Sequence, residues 1–320
     1  MESIRKTFKS SFFLLGTLLA ISVSCKKEVV PSGYLTRNVV IVIMDGARYT
    51  ETLGDSHHHN MPRLADEMAN DGVILTDFRN RGETFTIQGH AAISTGNYVT
   101  INNGGTEAPP FPSIFQEWLA ASGLPSYLSW IISSKDKLSV LSKTTNLFWF
   151  ARTRPSTDCG IYGDGLGSGY REDSVTFQKS LEILAGYVPN LVLISFKQPD
   201  VIAHAGDWPE YLHQIQTVDE YIYGIWNYIN TDPNYKGTTT LFVTNDHGRH
   251  EGSADGDFVN HGDSCEGCTH LMFYACGPDF KKGVISGTPR ELIDISATIA
   301  KLMGFTISQG TGKIMEELFR

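Results

Sequence analysis

Two short apolar runs most constrain how this chain can fold, because both stop abruptly at an acid. Asn38-Val-Val-Ile-Val-Ile-Met44 ends in Asp45-Gly46, and Leu241-Phe242-Val243-Thr244 ends in Asn245-Asp246-His247-Gly248. Continuous apolar runs of this length fit strands covered on both faces of a parallel sheet. In such a sheet, ligands bind beyond the carboxyl ends of the strands. Asp45, Asp246 and His247 therefore fall where a site would form. A carboxylate beside a neutral imidazole suits zinc, which takes oxygen and nitrogen ligands. A turn aspartate with a solvated histidine is the competing reading of the Asp246-His247 pair, and a helix N-cap that of Asp45.

The rest of the chain repeats the arrangement. Asn190–Phe196 is a third strand, followed by Pro199-Asp200 and His204. One helical turn would bring Asp200 and His204 to the same side. Val73–Phe78, Tyr127–Ile132 and Thr269–Cys276 are further strands. Helices are expected from Met61-Pro62, over Ser113–Ala121, Ser174–Leu184 and Leu212–Ile229, and over Glu291–Met303. Strands alternating with helices indicate an α/β fold with a mostly parallel sheet.

Thr86-Ile-Gln-Gly89-His90-Ala-Ala-Ile-Ser94-Thr95-Gly96 reads as a helix with Thr86 at or near its start. Thr86 there is either an N-cap or a hydroxyl held where the helix favours an anion, able to attack phosphorus beside a metal. A polar loop supplies His261. Asp45, Asp200, Asp246, His204, His247, His261 and the Thr86 hydroxyl can together serve two zinc ions. His57-His58-His59 reads as a solvated run. Ser142–Tyr170, rich in Gly, Ser and aromatic residues, reads as an excursion over the site rim, with Arg152, Arg154 and Arg171 as candidate substrate contacts.

The amino-terminal residues carry a separate signal. Arg5, Lys6 and Lys9 precede a short apolar stretch, Phe12–Ile21, and then Ser22-Val23-Ser24-Cys25. The order resembles a bacterial lipoprotein signal, with Ser22 where leucine is usual. It predicts a signal peptide over 1–25 with lipid on Cys25, a tether over 26–36, and one catalytic domain over 37–320 in the cell envelope. A cleaved signal that loses Cys25 is the alternative. Export permits disulfides. Cys265-Glu-Gly-Cys268 is expected first as a small disulfide loop, and second as a structural zinc site with His261 or His270. The net charge of −9 and scattered basic residues argue against a nucleic-acid surface.

Taken together, these segments resemble the alkaline phosphatase superfamily, in particular its type I phosphodiesterase and nucleotide pyrophosphatase branch. The resemblance rests on Met44-Asp45-Gly46, Met61-Pro62-Arg63-Leu64 through Gly72-Val73, Thr86…His90…Ser94-Thr95-Gly96, Pro199-Asp200…His204, Asp246-His247-Gly248 and His261-Gly262 before Gly277-Pro278. It implies a three-layer sandwich around a mostly parallel sheet. It also implies a phosphoric ester hydrolase acting on a small molecule, with Asp200, His204 and His261 on one zinc and Asp45, Asp246 and His247 on the other. Thr86 would attack. His270 rivals His261, whose flanking glycine and spacing fit better. One position departs from the pattern: the diesterase branch places Asn just before the helix histidine, where it contacts a phosphoryl oxygen, and here that residue is Gly89. No Cys/Ser-x-Pro-x-Arg motif of a formylglycine sulfatase is present, which argues against a sulfatase-like ester hydrolase. A surface binding lipoprotein with a degenerate metal site is the reading from another class.

Overall fold

A computed structural model describes residues 33–150, 153–252 and 257–320. The lipoprotein signal, Cys25 and Arg152 lie outside the described residues. In chain order the strands are β1 (Asn38–Met44), β2 (Gly72–Leu75), β3 (Phe78–Arg79), β4 (Ser129–Ser133), β5 (Ser156–Cys159), β6 (Leu191–Phe196), β7 (Thr239–Thr244), β8 (His270–Leu271), β9 (Phe273–Cys276), β10 (Val284–Ser286) and β11 (Arg290–Glu291). The α-helices are α1 (Thr86–Thr95), α2 (Ile114–Ser122), α3 (Leu147–Phe150), α4 (Asp173–Tyr187), α5 (Asp200–His204), α6 (Trp208–Thr231), α7 (Glu266–Thr269) and α8 (Asp294–Met303).

Eight strands form one sheet in the order β10-β2-β9-β7-β1-β6-β4-β5. β1, β4, β5, β6 and β7 run parallel, as expected, while β9 is antiparallel to both β7 and β2. β1 shows why its run is unbroken. Val39, Ile41 and Ile43 face a core shared with α1, α2 and α8, whereas Val40, Val42 and Met44 face a second core under α6. Alternate side chains point to opposite faces, so a strand covered on both must be apolar throughout. The result is the expected three-layer α/β arrangement, one mostly parallel sheet with helices on both faces.

Two expected strands are each split. Thr269–Cys276 breaks at Met272, whose N–H donates to Asn245 Oδ1 at 2.8 Å. Val73–Phe78 breaks after Leu75, and β3 joins a separate three-stranded sheet with β8 and β11. The segment after Met61-Pro62 ends at Asp71 as expected but is not a regular α-helix, being a π-type stretch over Arg63–Met68 and a 3-10 turn over Ala69–Asp71. Helix α6 starts at Trp208, ahead of Leu212, because the Asp207 side chain caps it by accepting from the Glu210 N–H.

Register brings the functional ends together. Met44 pairs with Phe196, and Ile43 with Thr244. The next residues of β1, β6 and β7 thus emerge at one edge of the sheet, joined there by the end of β4, where Ser133 pairs with Ser195.

Candidate active site

Asp45 follows β1 directly, and Gly46 turns the chain with φ +71°, a left-handed conformation that a side chain disfavours. A Cβ at Gly46 would also stand 2.7 Å from Asp200 Cβ. That closeness lets Asp200 N donate to Asp45 O at 3.1 Å and sets the two carboxylates side by side. Asp246 is fixed from the other flank: its Oδ1 accepts from Gly46 N at 3.2 Å, and its carbonyl accepts from Asn80 Nδ2 at 2.9 Å. All three acids are buried.

The imidazoles are oriented by their second nitrogen. His247 Nδ1 donates to Gly248 O at 2.9 Å and His261 Nδ1 to Thr84 O at 2.8 Å. A ring nitrogen facing a carbonyl must carry the proton, so each Nε2 turns its lone pair inward. His247 Nε2 lies 3.5 Å from both Asp45 Oδ1 and Asp246 Oδ2, and the His247 and His261 rings stack at 4.0 Å. Asp45 Oδ1, Asp246 Oδ2 and His247 Nε2 are buried without a hydrogen-bond partner. Buried acceptors facing one another are costly unless a cation lies among them. Burial works against charge on His247, yet Asp246, Asp45 and Asp200 raise its pKa. The three acids thus favour a positive charge at this place, whether a proton or a metal. Burial, then His247, push His261 down to about 2, which keeps it a neutral donor. This donor set fits a divalent metal.

The grouping differs in part from the one the resemblance implies. Asp200, His247 and His261 converge as one trio, and Asp45, His90 and Asp246 as another, with ligand atoms within 4.8 Å of each other in each. His90 is a poor ligand, since its Nδ1 donates to Thr86 O at 2.8 Å and its Nε2 accepts from Ser195 Oγ at 2.9 Å. His204 stands at the rim. Its Nε2 is 3.1 Å from His261 Nε2 and 3.4 Å from Asp200 Oδ1, but its Nδ1 accepts from Arg249 Nη2 at 3.3 Å, which leaves the ring proton on Nε2.

Thr86 is the first residue of α1, with Phe85 in the cap position, so its hydroxyl is not spent on capping. It is buried. Lys135 Nζ donates to Thr86 Oγ1 at 3.2 Å and sits 2.8 Å from Asp45 Oδ2 and 2.6 Å from Asp200 Oδ2. Sequence reasoning passed over this lysine. The end of β4 leads to Ser134-Lys135-Asp136-Lys137, and it takes the pairing of β4 with β6 to place the lysine between the acids. Burial alone would lower the Lys135 pKa, but Asp200 and Asp45 raise it well above the usual lysine value. Burial likewise opposes ionisation of Asp45, and Lys135 overcomes it, bringing Asp45 to about 2. Asp200 is held low by Lys135 and Arg249, against burial. Lys137 is buried close by, its Nζ donating to the carbonyl and side-chain oxygens of Asn103 at 3.1 and 3.2 Å, and Asn103 Oδ1 accepts from Ile87 N near the start of α1.

Other candidates fall outside the site. Arg171 is buried in a structural pairing with Asp158 and Thr176, and Arg154 is exposed. His57 and His59 are exposed, with Asp55 beside them. Cys265 and Cys268 are free thiols, not the expected disulfide. His270 turns away to Thr76 O and stacks on Tyr49, and His261 converges with Asp200 and His247, so neither expected partner joins the thiols.

The sequence model of the Sulfatase family matches residues 37–305. No curated sequence matches the chain. Among solved structures, the chain is similar to wild-type alkaline phosphatase PafA (11% identity, TM-score 0.68, 89% of this chain and 99% of that one). It is also similar to the phosphonate monoester hydrolase SpPMH of Silicibacter pomeroyi (16%, 0.63, 88% and 76%) and the sulfatase PsFucS1 of a Pseudoalteromonas species (15%, 0.59, 89% and 72%).

Proposed function

We propose that this chain, which belongs to the Sulfatase family within the alkaline phosphatase superfamily, is a phosphoric ester hydrolase that uses Thr86 as nucleophile and about two zinc ions. Membership makes it a hydrolase of phosphate or sulfate esters, and the lack of a Cys/Ser-x-Pro-x-Arg motif, with a threonine at the start of α1, favours phosphorus over sulfur. The observation that carries the reading is the Thr86 hydroxyl at the start of α1, facing Lys135, which is wedged between Asp45 and Asp200.

The residues perform defined tasks. The positive end of the α1 dipole and the Lys135 ammonium attract the phosphoryl oxygens. Lys135 also stabilises the Thr86 alkoxide as the hydroxyl proton passes to water, and the departing alcohol takes up a proton from water in turn. The Thr86 oxygen forms a bond to phosphorus while the bond to the departing alcohol breaks, leaving a phosphothreonine. Water then attacks phosphorus, the bond to Thr86 Oγ1 breaks, and inorganic phosphate departs. Asp45, Asp246 and His247, and Asp200 with His261, would hold the zinc ions, and His204 would join the second group only on losing its Nε2 proton. When bound, zinc supplies Lewis acidity that lowers the hydroxyl pKa and offsets charge on the leaving oxygen. A second buried lysine, Lys137, favours the dianion of a monoester over the single charge of a diester.

Comparing p-nitrophenyl phosphate, its bis ester and its sulfate tests the reading. The monoester is expected to turn over fastest, and faster sulfate cleavage overturns it. Chelation is expected to abolish turnover and zinc to restore it; full activity in protein shown by elemental analysis to hold no transition metal refutes the metal assignment. We also propose envelope anchoring through Cys25. Cys25→Ala is expected to shift the protein from membrane to soluble fractions with activity kept, and a soluble wild type cleaved beyond Cys25 rejects the anchor.

A further inference from the structure

His250, Asp263, Cys265 and Cys268 form a second cluster apart from the Thr86 centre. The ligand atoms of all four lie within 4.8 Å of one another. The fold brings them together from two stretches of chain. Cys265 precedes the single turn of α7 and Cys268 lies within it, so C-x-x-C places both sulfurs on one side. Asp263 Oδ1 accepts from Cys265 N at 3.0 Å, and its Oδ2 lies 3.0 Å from His250 Nε2. His250 is delivered by an unusually close pairing of backbones. Gly248 N donates to Cys268 O at 2.8 Å, Arg249 N to Gly267 O at 2.9 Å, and a Cβ on Gly248 would stand only 1.9 Å from Gly267 O.

We propose that these four side chains bind one zinc ion, a site separate from the catalytic metals. Two thiolate sulfurs, one imidazole nitrogen and one carboxylate oxygen are all zinc ligand types and together fill the four positions of a tetrahedral site. Binding releases the proton of each thiol to solvent and forms two zinc–sulfur bonds, with no redox change. The ion ties His250 to Asp263, Cys265 and Cys268, on either side of His261 in the chain, and so steadies His261 without touching substrate. The pairing of backbones also explains why His250, and neither His261 nor His270, serves the thiols.

Cobalt substitution of the full chain tests the site. Wild-type protein is expected to show a near-ultraviolet thiolate-to-cobalt charge-transfer band. Cys265→Ser/Cys268→Ser is expected to lose the band and about one metal per chain. The Asp45–Asp246 and Asp200–His261 groups contain no sulfur. The band therefore persists even if the catalytic reading fails, and the two failures are distinguishable. Should the double variant not fold, alkylation of the wild type gives the same answer: both thiols are expected to resist iodoacetamide until a chelator is added. A cobalt-loaded wild type without the band overturns the proposal, as does free alkylation of both thiols in metal-loaded protein. A mass showing Cys265 joined to Cys268 in protein isolated without reductant also overturns it.

Discussion

Thr86→Ala is expected to retain its metal and lose turnover by about 10⁴-fold or more, the scale of deleting a nucleophile. The threonine hydroxyl accepts from Lys135 Nζ at 3.2 Å, and its removal takes away no charge. The buried acids Asp45, Asp200 and Asp246 and the inward lone pairs of His247 and His261 are all still present. Thr86→Ser keeps the oxygen and is expected to keep measurable activity. Acid quenching during turnover is expected to leave phosphate on Thr86. The neighbouring Thr84 is a poor substitute, because its hydroxyl already donates to Asp263 O at 2.7 Å. Near-wild-type turnover in Thr86→Ala, or a label on Thr84, rules out this mechanism even if the metals are in place.

Lys135→Met is expected to act twice over. Turnover is expected to fall by about 10²–10³-fold, the cost of removing one preorganised charge from a transition state. The metal-free protein is expected to lose ~3–5 kcal/mol at neutral pH, because Asp45 and Asp200 are left as buried charges without their shared partner. The pH dependence fixes the sign. The folded Asp45 pKa is depressed, from 3.8 to about 2. Its stabilisation, ~2 kcal/mol, is therefore present above about pH 4 and lost as pH falls toward 2. The gap between wild type and Lys135→Met is thus expected to close in acid. It is also expected to narrow when zinc is added at pH 7, since a divalent cation neutralises the same acids. Urea unfolding with and without chelator, at pH 7 and pH 3, measures all of this. A gap that stays constant across pH means the lysine acts through packing and not through charge.

The acids of the site were readable because each follows a run that only a strand buried on both faces would carry. Asp45 after Met44 and Asp246 after Thr244 needed no knowledge of strand order. Lys135 needed it. In the sequence it is one cation among polar residues, and only the pairing of β4 with β6 reveals that it is buried between acids 65 and 90 positions away. The breaks in Val73–Phe78 and Thr269–Cys276 were hidden for a related reason. They arise where a side chain from elsewhere, such as Asn245 at Met272, takes a backbone hydrogen bond that a ladder would otherwise hold. The branch was harder still. The motifs suggested diesterases, the family match is to sulfatases, and the local departure at Gly89 marked the disagreement without resolving it.

Gly89 has a consequence for how this enzyme's specificity could change. A Cβ there would lie 2.5 Å from Asp246 O and 2.9 Å from Asp246 Cβ. Any side chain, asparagine included, would have to push α1 off the loop that presents Asp246 and His247. The phosphoryl contact that the diesterase pattern places at this position is therefore closed to a single codon change. An evolving lineage, or an engineer, must first move the helix or the strand end. Such a step passes through a protein whose Asp246 and His247 are displaced, so this position is guarded by the backbone and drifts less freely than side chains in the rim.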